Sequence, residues 1–125
     1  MAVKWLEAPE AHDFDAATAY LSMLAESGTV TRTVDALRTA PMVMRAAKDI
    51  LRAARLPLLP DSNAHVKSDL GKISDGKRLS PILLVRGDAT RGVALQIADG
   101  YHRVCASYIT DENTVIPCRL VAWTS

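Results

Sequence analysis

The chain has no excess charge of either sign. Fifteen Lys and Arg stand against fourteen Asp and Glu, a formal +1 at pH 7. The broad basic footprint of a strong nucleic-acid binder is missing, although a local basic patch is compatible with that balance. No apolar run is long enough to span a bilayer. The first residues, MAVKWLE, lack the apolar segment of a signal peptide. The expectation is a cytoplasmic protein with no membrane partner. Cysteine is scarce. Cys105 and Cys118 have neither metal-ligand spacing nor a C-x-x-C motif. In a reducing compartment they read as partly buried thiols behaving as small hydrophobes, and a redox role would need Cys105 exposed with a depressed pKa. Repeats and low-complexity segments are missing as well. What remains is 125 residues, 49% hydrophobic, enough for one globular domain, 1–125, with its own core.

Residues 1–11 show little periodicity and read as an arm pinned by Trp5 and Leu6. Asp13 or Asp15 is the candidate N-cap of a first helix. Its Phe14, Ala17, Leu21 and Leu24 share one face, and Ser27-Gly28 is its stop. A second helix starts at Thr29 or Thr31, carries Val30, Val34 and Leu37, and ends before Pro41. The two form a hairpin over residues 1–40, packed on something larger, with a structural or partner-binding rather than a chemical role. Met42-Val43-Met44 suggests a short strand and Ala47–Arg55 a short helix. The prolines of Leu56–Pro60 make a rigid connector.

Asp61 or Ser62 can cap a helix over Asn63–Ser74 that buries Val66, Leu70 and Ile73. His65, Ser68 and Lys72, at i, i+3 and i+7, form a polar stripe beside the buried one. Spacing alone makes this the solvated face of an amphipathic helix. Asp75-Gly76-Lys77 is a turn. Ile82–Val85 is a continuous apolar run, a strand buried on both faces. Gly87–Gly92 is a hairpin loop in which Arg86-Gly87-Asp88 is turn chemistry. Val93–Ala98 is the next strand, with Val93, Leu95 and Ile97 on one face. The helix after Gly100 buries Val104, Cys105, Tyr108 and Ile109 and leaves Arg103 and Ser107 on a more open face. Thr114–Ala122 is the last strand, and Pro117 gives it an edge or irregular start. This order predicts an α+β fold: a small mixed β-sheet with flanking helices, preceded by the N-terminal helical hairpin.

The stretch with the most chemistry is Leu95–Ile109, LQIADGYHRVCASYI. A strand that ends in a glycine and feeds a helix leaves free N–H groups at the helix start. These groups and the helix dipole attract anions. His102 and Arg103 in the first turn add side-chain donors, and Arg can grip a phosphate bidentately. The expectation is a phosphate-binding turn.

Leu79–Val85, the hairpin, Ile97–Ala106 with its Asp99-Gly100-Tyr101-His102-Arg103 turn, and Ile116–Val121 together resemble the ParB/sulfiredoxin-like superfamily. The resemblance covers about Met42 to Trp123 and leaves the N-terminal hairpin outside. It implies that Gly100, Tyr101, His102 and Arg103 form a nucleotide-phosphate cradle. Aligning the family's V-x-S helix on Val66-Lys67-Ser68 puts His65, Ser68 and Lys72 on the facing wall. The implied cofactor is ATP, ADP or another nucleotide with Mg2+. Tyr101 stands where a sulfiredoxin has its nucleophilic Cys, and Cys105 lies a little over one helical turn further on, so sulfinic acid reduction is not expected. The chain stops before any ParB-type helix-turn-helix, so chromosome partitioning by that route is not expected either. A free-standing kinase of the superfamily has a similar D-G-x-x-R turn, but its catalytic Glu has no assigned counterpart here.

The leading expectation is therefore a small nucleotide- or phosphate-binding protein with phosphotransferase chemistry in reach. His102 is a candidate general acid or base. Asp99 is a Mg2+ ligand, an orienter of His102, or a strand-end turn residue. The first alternative is a non-catalytic protein-interaction module that forms a homo-oligomer through its hairpin. The second is a ParB-like nuclease, against which the near-neutral charge argues.

Overall fold

A computed structural model describes residues 2–124. The chain runs β1 (Lys4–Trp5), α1 (Ala11–Leu21), α2 (Ser27–Thr39), β2 (Met42–Ala46), α3 (Ala47–Ala54), α4 (Ala64–Ser74), β3 (Arg78–Leu79), β4 (Ile82–Val85), a 3-10 turn at Ala89–Arg91, β5 (Gln96–Asp99), α5 (Tyr101–Thr110) and β6 (Val115–Val121). This is an α+β fold with a mixed sheet, as the pattern of elements predicts. Strand order is β2-β6-β4-β5. β6 runs parallel to β4, and the other pairs are antiparallel. The N-terminal arm adds two residues of parallel pairing to β3, and Trp5 packs against the core.

Alternation along β4 explains the layering. Successive side chains of a strand point to opposite faces. Ile82 and Leu84 face one cluster with Val66, Ile73, Val104 and Ile116. Leu83 and Val85 face a second, with Phe14, Leu21, Val34 and Leu37. All four β4 residues are buried. Helices α3, α4 and α5 cover the first face, and α1 and α2 cover the second. The hairpin thus spends its apolar stripe on this chain's own sheet. Arg119 of β6 fastens its far end by donating to the carbonyls of Leu37 and Arg38, the last turn of α2, where a cation complements the helix dipole.

Several boundaries differ from the expectation, each for a local reason. Glu10, not Asp13 or Asp15, caps α1, and Asp13 is the N3 partner of a capping box. Leu24 lies beyond the helix end and is 49% exposed. Ser27-Gly28 opens α2 instead of closing α1. Asn63, not Asp61 or Ser62, caps α4, its side chain accepting from the N–H groups of His65 and Val66. β5 begins at Gln96 because β4 ends at Val85; the Leu95 N–H bonds the Ala53 carbonyl instead. Ser107 is fully buried, not open. Its hydroxyl is satisfied by donating to the Arg103 carbonyl, the back-bonding that lets a serine sit inside a helix. Ile109 is exposed in its place. Pro117 sits in a central strand, but it pairs only with Met44, one residue before pairing with β4 begins at Cys118.

If both helical layers belong to one core, truncation on either face of β4 is costly. Leu83→Ala and Leu84→Ala should each lose about 2–5 kcal/mol in urea unfolding. A cheap Leu83→Ala would mark residues 1–40 as a detachable extension.

Candidate functional site

The turn between β5 and α5 is built around Gly100, whose φ is 112°. A Cβ there would lie 2.3 Å from Ile82 Cδ1, so the position excludes side chains by conformation and by space. Glycine also gives α5 no side-chain cap. The N–H groups of Tyr101, His102 and Arg103 make no hydrogen bond among the described residues. They are left available at the positive end of the α5 dipole.

Helix α4 lies opposite. Between them is a cavity of about 230 Å3, lined by His65, Ser68, Asp69 and Lys72 from α4 and by Asp99, Gly100, His102 and Arg103 from the turn. The polar stripe and the turn motif, read separately in the sequence, are therefore two walls of one site. The His65 and His102 rings meet across it with centroids 4.7 Å apart. Tyr101 is the exception among the candidates. It points away from this cavity, and its hydroxyl donates to the Pro57 carbonyl at 2.6 Å. A larger cleft beside α3, about 440 Å3, holds Lys48, Arg52 and Arg55. Its arginines are exposed and engaged locally, Arg52 with Asp49 and Arg55 with the Gly92 carbonyl.

Arg103 does not stand free over the cavity. Its Nη2 donates to Asp99 Oδ2 at 3.1 Å, and its Nη1 lies 3.9 Å from Asp13 Oδ1. Asp13, 1% exposed, accepts from the Glu10 N–H at 2.9 Å and from the Ser80 hydroxyl. Two carboxylates of this chain thus share the guanidinium expected to grip phosphate. The other positive groups facing the cavity are Lys72, paired with Asp69 at 3.8 Å, and the helix end itself.

The buried charges shift one another. Burial pushes the Asp99 carboxyl up to about 6, against the opposing pull of Arg103 and with the help of nearby Asp13. Burial would raise Asp13 too, but the hydrogen bonds from Ser80 and Glu10 and the charge of Arg103 hold it below the ordinary carboxylate value. Burial, then His65, lowers the His102 pKa, so its imidazole is neutral at neutral pH and offers a lone pair or an N–H, not a charge. Neither cysteine is reactive. Both are fully buried and free, and burial pushes Cys105 up and Cys118 up to about 12. Among the described residues no group of three or more His, Cys, Asp or Glu is arranged to hold a metal ion. Asp99, the candidate Mg2+ ligand, is engaged with Arg103.

Three site residues escape the sequence reading. Asp69 had a signal, since it lies four residues after His65 on the same helix face. Asp13 and Ser80 had none; they meet across 67 positions. Comparison with protein-family models, curated proteins and solved structures yields no match to this chain.

Because the folded-state pKa of Asp99 lies above the unfolded value of about 3.9, the native state binds the extra proton. The stability Asp99 contributes is full below that value and is lost as pH rises to about 6. The melting temperature of the wild type relative to Asp99→Asn should therefore fall between pH 4 and 6.5. A constant difference would contradict the shift.

Proposed function

We propose that the protein binds a phosphate-bearing small molecule at the Asp99–Arg103 turn. The observation that carries the reading is the uncapped start of α5 sharing one cavity with the α4 stripe. Free N–H groups at a helix start are built to receive an anion. Lys72 supplies charge, Ser68 a hydroxyl, and His65 and His102 imidazole donors. Gly100 lets the backbone approach. Arg103, turned toward Asp99 and Asp13, holds the turn in place as well as lining the cavity. At about 230 Å3 the cavity is smaller than the roughly 300–1,000 Å3 of whole-ligand sites. It suits the phosphate end of a ligand such as ADP or ATP with Mg2+.

The resemblance to ParB/sulfiredoxin-like proteins supports the same residues, and membership of that superfamily is part of the proposal. So is the cytoplasmic location, which suits two free, buried thiols; no helix of the described residues is long and apolar enough to cross a membrane. For phosphoryl transfer the proton acceptor in this site is His102, neutral and facing the cavity. Sulfinic acid reduction has no support, since the nucleophile's position holds Tyr101 and Cys105 is buried. The homo-oligomer alternative would use the outer surface of the hairpin, where Met23 and Leu24 are exposed, since the apolar stripes of α1 and α2 pack on this chain's own sheet.

Lys72 is exposed and makes only one ion pair on its own helix, so Lys72→Met should fold like the wild type. Calorimetry with pyrophosphate and with ADP, each with and without Mg2+, should show one site in the wild type. Lys72→Met should bind about tenfold or more weakly, the loss expected for one charge-assisted contact. Absence of binding by the wild type at millimolar ligand would end this reading.

A further inference from the structure

The near-neutral balance of the chain hides a local basic belt. Three clefts, of about 440, 400 and 540 Å3, follow one another across α3, the connector and the end of β4. The first and second share Arg52 and Arg55, and the second and third share Arg86 and Val93. With Lys48 in the first and Arg91 in the third, five of the fifteen Lys and Arg line this run. Of the fourteen Asp and Glu, Asp88 and Glu112 line it. All five cations are exposed. Arg52 and Arg91 pair with carboxylates on their own turns, Asp49 at 3.2 Å and Asp88 at 3.6 Å, and such surface pairs exchange at little cost. Lys48 and Arg86 form no ion pair among the described residues. Between the cations stand Leu56, Leu58 and Val93, 38%, 42% and 44% exposed.

We propose that this belt docks an acidic segment of a partner protein that carries apolar side chains between its carboxylates. The surface shares no lining residue with the phosphate cavity, so the proposal stands apart from the function of that site. Charge complementarity selects an acidic partner, and the exposed leucines and valine select one with apolar groups to bury. The backbone gives a second sign of use. Arg55 closes α3 with φ 56°, the one non-glycine residue of positive φ among the described residues. Glycine is the usual residue at such a helix end, because it has no Cβ to strain it. An arginine kept there places a guanidinium between the first two clefts, where its Nη1 donates to the Gly92 carbonyl at 3.1 Å and holds the Gly87–Gly92 loop against α3. Two other polyanions fit less well. A nucleic acid strand wants aromatic platforms for its bases, and the belt offers Tyr108 and Trp123 at its two ends with leucines and valine between them. An anionic lipid surface is flat, whereas these residues line clefts, and Glu112 and Asp88 would be repelled by it. A peptide can meet both carboxylates with polar or basic residues of its own.

Fluorescence anisotropy with three labelled probes of equal charge tests this: a peptide of alternating Glu and Leu, a peptide of alternating Glu and Gly, and an oligothymidylate. Flotation with phosphatidylserine vesicles tests the lipid surface. The wild type should bind the Glu-Leu peptide about tenfold or more tightly than the other two probes and should not float with the vesicles. Arg52→Glu combined with Arg86→Glu should weaken that binding about tenfold or more, by setting like charges against each other. Leu58→Asn should bring the Glu-Leu peptide down to the affinity of the Glu-Gly peptide. All three positions are exposed, so melting curves should overlay the wild type. Where the double reversal does not, Lys48→Gln combined with Arg86→Gln takes its place, with a smaller loss in the same direction. The proposal is overturned if the Glu-Leu peptide fails to bind at millimolar concentration or binds regardless of the substitutions. Oligothymidylate or vesicles binding as well as the Glu-Leu peptide would overturn it too, in favour of a nucleic acid or a membrane.

Discussion

A carboxylate buried in the first turn of a helix must be paid for by partners, and Asp13 has them on three sides. It takes the Glu10 N–H within its own capping box, the Ser80 hydroxyl just before β4, and the charge of Arg103 on α5. An unpaired ion in that position would cost several kcal/mol, so the three segments are held in one arrangement. This one group links the N-terminal hairpin, the entrance of the central strand and the turn at Gly100. The site on the other side of Gly100 inherits its geometry from that link.

The same network sets the electrostatics of the cavity. Arg103 is shared by Asp13 and Asp99, and Asp69 stands 3.8 Å from Lys72. The site is therefore mixed in sign, and its most clearly available attraction for an anion is the start of α5. Helix ends attract through aligned dipoles and free N–H groups, which no neighbouring carboxylate here neutralises by hydrogen bonding. His102, kept neutral by burial and by His65, complements this arrangement as a donor or acceptor without adding charge.

The hairpin also changes how the domain is understood. Covering Leu83, Val85 and Ala98, it supplies a layer without which β4 would expose every second side chain. A sheet buried on both faces needs helices on both sides, and among the described residues the helices that cover the second face are α1 and α2. The division into an extension and a core, which follows chain order, does not follow the packing.

How much could be read in advance depends on the range of the interaction. The apolar run Ile82–Val85, the stripes Val30-Val34-Leu37 and Val66–Ile73, and the glycine turn at Gly100 were legible because they reflect local periodicity and backbone sterics, which act between near neighbours. The polar stripe His65-Ser68-Lys72 was legible as a stripe, and the resemblance placed it opposite the turn. Helix caps were misplaced by one to several residues, since Glu10 and Asn63 compete with equally good neighbours until packing chooses between them. Asp13 was legible only as a residue of the helix start, and its meeting with Ser80 was invisible, as was the engagement of Arg103 with two carboxylates. By itself the sequence determined the elements, the buried faces and the one place where a strand had to turn through glycine into a helix. The tertiary structure decided which charges meet: an ion pair forms between groups close in space, and the distance along the chain from Asp13 to Arg103 carries no trace of it.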